Sequence, residues 1–320
     1  MDNLCHTLAE RRAGEASLKR RTRLGMATLM LASNLPDIDV AVFATDTLAM
    51  SFRRGWTHGV LAQALLPPVL ALVMFAWGRW QRPVRGAADR DPRPAGPPLS
   101  LRGLLLLAYV GTWLHVGMDW MNSYGVRLIK PFSDRWFYGD ALYIVDPFLY
   151  AIFGAGIVLA RVASRRGSQA PWRPARVALA VVAVYMATMV ASNWWARAEV
   201  RSGLDRAGRS GARFMVTPVF ANPFRREVIV EVGDRYEKGF LWFDPSPHFR
   251  PAGYGVEKND RAEEVIAVRD RPRVGAFLMW SRFPFFVVER TAGRTTVVLN
   301  DYRYSGPSGR DGWATQVVAP

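Results

Sequence analysis

The chain has 320 residues, half of them hydrophobic, and carries 42 Lys and Arg against 27 Asp and Glu, a formal charge of +15. In a soluble protein this balance would suggest a nucleic-acid partner. The apolar residues, however, are concentrated in long runs within the first 200 positions, and the arginines cluster in the gaps between them. This pattern predicts a membrane protein with no nucleic-acid partner. The single cysteine, Cys5, excludes an intrachain disulfide and a multi-cysteine zinc site.

The N-terminal segment MDNLCHTLAERRAGEASLKRR has neither the apolar core nor the small-residue cleavage site of a signal peptide. We expect a short amphipathic helix packed on the other helices. If residues 3–18 and 22–35 form an antiparallel hairpin that turns at KRRTR, His6 returns to the level of Asp37.

Four apolar runs are long enough to cross a bilayer, which takes about 20 helical residues. They are residues 60–78, 101–118, 142–160 and 175–195. A fifth run, residues 24–44, contains NLPDID and either spans the membrane or ends at Pro36. We therefore predict an α-helical multi-pass membrane bundle of about four to five transmembrane helices over residues 1–200.

The gaps between the runs predict an orientation, because short cytoplasmic loops are enriched in Lys and Arg. The first gap holds six arginines and includes the predicted loop RPVRGAADRDPRPAGPPLS, and the third gap holds five. The middle gap has only Arg127, Lys130 and Arg135. The first and third gaps are thus predicted to be cytoplasmic. The middle gap and everything after residue 196 are predicted to be extracytoplasmic.

After about residue 205 the sequence changes to short apolar runs separated by Gly, Pro and Asp, which is typical of strands. The runs are REVIVEV, GFLWF, PFFVVER, TTVVLNDYRY and ATQVV. They predict a small β-rich soluble domain over residues 205–320. His248, in DPSPHFRP, is interpreted as an ordinary surface histidine.

Ionisable residues within the apolar runs are candidates for a functional site, since each costs roughly 2.5 to 3.5 kcal/mol at the centre of a bilayer. His115 and Asp119 are four residues apart, so they share one helix face and could bind one metal ion. The alternative is a hydrogen-bonded pair that only joins helices. On the predicted topology, His58 in RRGWTH lies on the same side, and Asp37 and Asp39 in NLPDID can aim two carboxylates at one point.

These residues predict a metal site. Imidazole and carboxylate ligands without thiolates suit Zn²⁺, with Mn²⁺ or Fe²⁺ as alternatives. Water on such an ion is a nucleophile near neutral pH, so hydrolysis is the natural chemistry. The candidates outnumber the ligands of one tetrahedral ion, which allows two ions, or one ion with a carboxylate left as general base. The predicted metal ligands are His6, Asp37, Asp39, His58, His115 and Asp119, with Asp39 and Asp119 as the catalytic residues.

Several motifs, in order, resemble the YdjM-like inner-membrane proteins: MDNLCHTL, LASNLPDIDV, RRGWTH, HVGMDWMNSYG, RLIKPFSDRWFYGD and IVDP. The resemblance covers residues 1 to about 160 closely and continues through NPFRREV, SRFPFFVVE and LNDYRY. It implies a bacterial inner (cytoplasmic) membrane location and a membrane-bound metal-dependent hydrolase. Kinship of that family with zinc-dependent phospholipase C and P1-type nuclease folds implies a phosphoester substrate. Because a membrane-embedded protein meets lipid head groups, a phospholipid is one such substrate. Transferred motif by motif, it implies the same six ligands.

The first helix departs from the family pattern, in which small and apolar residues follow the first histidine. Here AERRAGE introduces Glu10, Arg11, Arg12 and Glu15, which argues against burial of the helix and a fixed position of His6. Elsewhere, Asp146 before Pro147 predicts a helix cap. Arg54 and Arg127 either hold a phosphate or anchor helices at the interface.

Three functions are compatible with this pattern. The first is a metallohydrolase acting on a phospholipid or another phosphoester at the outer membrane face. The second is a non-enzymatic membrane protein with a structural metal site and a β-rich domain that binds an envelope partner. The third, a transporter, ranks last because the ligands gather near one interface and the sequence has no internal repeat.

Overall fold

The computed structural model describes residues 1–45, 48–81, 97–244, 246–291, 293–306 and 314–319, so most of the predicted loop RPVRGAADRDPRPAGPPLS lies outside the described residues. The chain forms two compact units. The first unit comprises residues 1–40 and 54–188, and the second comprises residues 41–53 and 189–320.

The first unit begins with a helical hairpin. Helix α1 (Asn3–Glu15) is joined through a 3-10 turn (Leu18–Arg21) to α2 (Gly25–Ala32). The Asn34 side-chain amide donates to Thr7 Oγ1 at 3.0 Å, so the end of α2 lies beside the start of α1 and the predicted antiparallel hairpin is confirmed.

The charged residues of α1 do not keep it out of the bundle. Glu10 and Arg12 are each only 1% exposed. The helix is therefore packed on the bundle as expected, and the charged residues of AERRAGE do not prevent its burial. Its burial holds His6, which is also 1% exposed, inside the first unit.

Within the described residues, four helices are long and apolar enough to cross a membrane, which confirms the predicted multi-pass bundle. After the short α3 (Ala49–Phe52), they are α4 (Val60–Trp80), α5 (Leu101–Trp120), α6 (Pro147–Arg165) and α7 (Arg173–Arg206). The fifth predicted run is bent by 55° between α2 and a 3-10 segment, Pro36–Ala44, and counts as a fifth span only if the bent pair crosses together. The break falls at Pro36, where proline interrupts helical hydrogen bonding.

Two helix boundaries differ from the predicted runs. Helix α6 begins at Pro147 rather than at residue 142, because Asp146 Oδ1 accepts the backbone N–H groups of Phe148 and Leu149 at 3.0 and 3.2 Å, which confirms the predicted cap. Helix α7 continues beyond residue 195 to Arg206. This extension is not a continuous apolar run, because its buried residues, Ala196, Val200 and Leu204, recur only at every fourth position. A search for apolar runs therefore misses it.

The described residues of the second unit form two antiparallel sheets, which confirms the β-rich region. The first has the order β1 (Phe214–Val219), β2 (Asn222–Val232), β3 (Arg235–Phe243), β4 (Pro247–Glu257). Two short helices follow, α8 (Glu263–Val268) and α9 (Pro272–Trp280). The second sheet has the order β5 (Pro284–Thr291), β6 (Arg294–Asp301), β7 (Ala314–Val318). Four of the five predicted strand runs lie within these strands. The fifth, TTVVLNDYRY, is a strand only as far as Asp301, because Tyr302–Tyr304 form a 3-10 turn. Strands β1 and β4 and both helices were not predicted. His248 is half-buried in β4.

Candidate metal centre

Three segments of the first unit bring polar side chains to one buried point. Asp37 is the second residue of the 3-10 segment after α2, and His58 lies two residues before α4. His115 and Asp119 lie in the last two turns of α5. Because α4 begins where α5 ends, with Val60 N–H donating to the Leu128 carbonyl at 2.9 Å, the site lies at one end of the helices.

Asp37, His58, His115 and Asp119 each offer one ligand atom, and these atoms all lie within 4.8 Å of one another. The close contacts between the four residues involve Asp37 Oδ1, His58 Nε2, His115 Nε2 and Asp119 Oδ2, which we call the four-atom group. His58 Nε2 is 3.7 Å from the Asp37 oxygen and 3.4 Å from the Asp119 oxygen. His115 Nε2 is 3.8 and 3.5 Å from the same two oxygens, and 3.3 Å from His58 Nε2. Ligand atoms about 2.0 to 2.1 Å from a tetrahedral ion stand about 3.3 to 3.4 Å apart. The observed separations are therefore close to those of a metal coordination tetrahedron.

The chemistry of this four-atom group also fits a metal ion. Its residues are buried, the most exposed being Asp37 at 4%. Among the described residues, Asp119 Oδ2 has no hydrogen-bond donor. A buried acceptor left in this state costs about 1 to 3 kcal/mol. Two imidazole nitrogens and two carboxylate oxygens form a donor set that suits zinc or manganese. The group could hold a divalent ion.

The far nitrogen of His115 is held by the backbone of the hairpin. His115 Nδ1 lies 2.5 Å from the Ser33 carbonyl oxygen, which can only accept a hydrogen bond. The Nδ1 atom therefore donates, and the lone pair of Nε2 faces the centre. Metal-ligating histidines generally have such a contact, because it fixes the tautomer and the ring orientation.

The far nitrogen of His58 faces Asp39. His58 Nδ1 lies 3.1 Å from Thr57 Oγ1 and 3.7 Å from Asp39 Oδ2. The same Asp39 oxygen accepts the Thr57 hydroxyl at 3.2 Å and the Arg54 backbone N–H at 2.7 Å. The structure thus places Asp39 behind His58, on the opposite side of the ring from the four-atom group. Of the two NLPDID carboxylates, only Asp37 belongs to that group.

His6 lies against the four-atom group. Its ring stacks on that of His115 with centroids 3.9 Å apart, and its Nε2 is 3.4 Å from Asp119 Oδ1. Among the described residues, neither ring nitrogen of His6 has a hydrogen-bond partner. Burial lowers the pKa of His6 to about 3 and also lowers the pKa of His58. A lowered pKa favours the neutral imidazole, which is the form that binds metals.

Arg54 contacts the other oxygen of Asp119. Its Nη2 lies 3.1 Å from Asp119 Oδ1, its Nη1 donates to Asn122 Oδ1 at 3.2 Å, and its guanidinium covers the Tyr124 ring at 4.6 Å. The Met1 ammonium group contacts the same Asp119 oxygen. Asp119 therefore presents Oδ2 to the four-atom group and Oδ1 to cations and His6.

Sequence reasoning missed this role of Arg54, for which the only signal was its position next to the predicted ligand in RRGWTH. Arg54 and Arg127 are 7% and 1% exposed, so neither guanidinium extends to a lipid interface. Arg127 Nη1 lies 3.1 Å from Asp134 Oδ1.

Comparison with known proteins agrees with a membrane location for this site. The YdjM inner membrane protein family matches residues 1–198. A curated relative, the uncharacterized protein YfhP of Bacillus subtilis (strain 168), is 26% identical over 135 residues, which make up 42% of this chain and 36% of YfhP. The match thus spans about a third of that relative. No solved structure matches the chain. With more than half of its length matched, including every residue of the four-atom group, the chain belongs to the YdjM inner membrane protein family.

Proposed function

We propose that the protein is a membrane-bound metal-dependent hydrolase that cleaves a phosphoester, or another ester of a lipid-linked substrate, at one membrane face. The observation that supports this proposal is the buried four-atom group, with separations of 3.3 to 3.8 Å between each histidine Nε2 and its neighbours. When bound there, a divalent ion supplies a Lewis acid and an activated water for ester hydrolysis. Zn²⁺ is the proposed ion, with Mn²⁺ and Fe²⁺ as alternatives.

The chain's own residues divide into metal ligands and residues that orient them. Asp37, His58, His115 and Asp119 hold the ion in this proposal. Asp39 acts through His58, because its carboxylate lies 3.7 Å from the Nδ1 atom on the far side of the ring. Asp39 is therefore a positioning residue. Asp119 remains the proposed catalytic carboxylate, since it belongs to the metal-binding group itself.

His6 extends the proposed site beyond one ion. Its Nε2 lies 3.4 Å from Asp119 Oδ1, the carboxylate oxygen that does not belong to the four-atom group, and its ring stacks on that of His115. We propose His6 as a ligand of a second ion, so the metal-to-protein ratio distinguishes a mononuclear from a dinuclear centre.

The position of the site in the bundle supports a membrane substrate. His58 precedes α4, whereas Asp119 lies in the last turn of α5, so both are close to one end of candidate spans. A lipid head group reaches this level from one membrane face. The arginine distribution predicts that this face and the β-rich domain are extracytoplasmic.

A structural metal site in a non-enzymatic membrane protein is the second candidate function. It is favoured by the burial of the four residues, which are 4% exposed or less, and by the number of protein atoms, which already suffices for a tetrahedral ion. In this case the β-rich domain binds an envelope partner and the metal joins helices.

The experiment that separates the two functions is an ester-hydrolysis assay of the full chain in detergent. Phospholipids and chromogenic phosphate mono- and diesters serve as substrates, before and after chelation and after reloading with Zn²⁺ or Mn²⁺. We expect activity in the wild type and in His248→Ala, and none in His115→Ala. The structural site would be supported instead by two results together. The fully metal-loaded wild type would hydrolyse no ester, and its Mn²⁺ form would show no exchangeable water by proton relaxation.

A further inference from the structure

A basic cavity of about 420 Å³ lies beside α1, the 3-10 turn after it, the end of α6 and the residues leading into α7. Its lining includes one carboxylate, Glu15, and six cationic side chains: Arg11, Arg12, Lys19, Arg20, Arg161 and Arg165. Like charges gathered around one cavity repel one another, so an anion in the cavity would stabilise this arrangement.

The basic cavity is separate from the four-atom group. Helices α1 and α6 run side by side in the same direction, because Tyr150 contacts Asp2 near their starts and Arg12 packs beside Gly156 further along. The metal centre lies near the start of α1, at His6. Arg12 is six residues further on, which is about 9 Å along the helix axis. The cavity therefore opens towards the other end of these helices.

Arg12 has unused hydrogen-bond donors inside the cavity wall. Its side chain is 1% exposed, and its Nη2 lies 2.5 Å from Glu15 Oε2. Its Nε and Nη1 have no hydrogen-bond partner among the described residues. Donors buried in this state are costly. A phosphate group, with several charged acceptor oxygens, matches the planar donor fork of a guanidinium.

The cavity lies at the ends of two candidate membrane spans. Helix α6 ends at Arg165 and α7 begins at Arg173, and both are candidate spans, so the cavity is close to a membrane–water interface. Trp172 lines it, with the Arg176 guanidinium 4.1 Å from the ring centroid. Tryptophan is enriched at this level of the membrane.

An apolar groove of about 590 Å³ lies on the other side of α6, between α6 and α7. Its walls include Gly156, Leu159, Val162, Val177 and Val181. A basic cavity and an apolar groove on two sides of one helix suit the head group and an acyl chain of the same molecule.

We propose that the basic cavity binds a phosphate-bearing anion through Arg12, Arg161 and Arg165. The adjacent groove favours an anionic phospholipid as the source over a soluble phosphate compound. This site does not depend on the metal centre, and its occupant joins α1 to the ends of α6 and α7.

The test is native mass spectrometry of the delipidated full chain in detergent. The protein is titrated with phosphatidylglycerol, with zwitterionic phosphatidylcholine, and in a separate arm with inorganic phosphate or glycerol 1-phosphate. Because Arg12 is buried, the cavity is altered through two exposed residues in the double variant Arg161→Gln, Arg165→Gln. A second pair, Lys19→Gln with Arg20→Gln, changes the opposite wall. The control pair is Arg79→Gln with Arg102→Gln, which are exposed at the same end of the bundle and outside the cavity.

We expect one saturable phosphatidylglycerol per chain in the wild type, and a loss of affinity of about tenfold or more in each cavity pair. The control pair should stay within about twofold of the wild type. If the soluble phosphates bind with the same dependence on Arg161 and Arg165 and displace the lipid, the phosphate group is recognised and the source is soluble. Equal binding by wild type and both cavity pairs, or an equal loss in the control pair, would overturn the proposal.

Discussion

His115 Nε2 lies 3.5 Å from Asp119 Oδ2, one helical turn apart on α5. Helical spacing alone allows this contact, but it does not determine what else meets the pair. His58 Nε2 lies 3.4 Å from the same Asp119 oxygen and 3.7 Å from Asp37 Oδ1, so two further segments complete the group. Helix α5 therefore supplies half of the four-atom group, which three segments of the chain build together and which could hold a metal ion.

The two carboxylates of NLPDID should respond differently to the same substitution. Asp37→Asn replaces one of the two carboxylates of the four-atom group by a neutral amide, which is a poor zinc ligand, so we expect loss of stoichiometric zinc. Asp39→Asn leaves those atoms in place and weakens only the support of His58, so zinc affinity should fall by about 10- to 100-fold. Competition with a chelator of known affinity measures both. Asp134→Asn, which changes a half-exposed carboxylate outside the group, is the control and should bind as the wild type does.

A reversed order, with Asp39→Asn abolishing binding and Asp37→Asn tolerated, would show that the wrong aspartate has been assigned to the metal. Equal effects of the two substitutions would indicate a ligand set that includes both carboxylates.

A close approach between α2 and α5 positions His115 against the Ser33 carbonyl. A methyl group at Gly111 would lie 2.6 Å from the Ala32 Cβ and 3.1 Å from the Leu29 carbonyl oxygen. Gly111→Ala should therefore push the two helices apart and lower the free energy of unfolding of the protein by about 1 to 3 kcal/mol.

Gly117→Ala on the same helix is the matched control, because a methyl group there meets nothing within 4 Å. It should be neutral or stabilise the helix by up to about 1 kcal/mol. Thermal unfolding in detergent, followed by intrinsic fluorescence, measures both variants. A Gly111→Ala variant as stable as Gly117→Ala would contradict the close packing of α2 on α5.

The spans and the identity of the candidate ligands could be predicted from the sequence, but their detailed arrangement could not. Run length and hydropathy identify α4 to α7, and the spacing of His115 and Asp119 identifies one face of α5. Asp37 belongs to the four-atom group and Asp39 does not because of the way the 3-10 segment after Pro36 turns toward His58. This turn is a tertiary property that the sequence pattern does not specify. The contact of Arg54 with Asp119 is likewise invisible in a single sequence.

The second unit contains a buried ion pair whose loss should be measurable. Asp301 is fully buried and accepts the Arg303 Nε and Nη2 donors, each at 2.9 Å, together with the Ser281 hydroxyl at 2.6 Å. Burial alone would raise the pKa of Asp301, but the Arg303 guanidinium and these hydrogen bonds lower it below its usual value. Asp301→Asn leaves Arg303 buried without its counter-charge, which should destabilise the unit by about 3 kcal/mol.

Hydrogen exchange of the β6 amides in the full chain measures this change. Since the folded pKa of Asp301 is depressed, its stabilisation is complete above the unfolded pKa of about 4 and is lost as the pH falls through the folded value. The control is Glu237→Gln, in the exposed pair with Arg209, with an expected effect within about 1 kcal/mol. Protection of β6 that is unchanged in Asp301→Asn would contradict the buried pair.

The most direct test of the metal centre is metal content by elemental mass spectrometry on the full chain purified in detergent. The comparison includes wild type, His58→Ala, the double variant His115→Ala, Asp119→Ala, and His248→Ala as a histidine control outside the site. We expect at least one zinc or manganese per chain in the wild type and in His248→Ala, and a loss of that metal in both site variants. A wild type that takes up no metal after reconstitution with Zn²⁺ or Mn²⁺, or site variants that keep it, would rule out the proposed metal centre and leave the four-atom group as a polar network that joins helices.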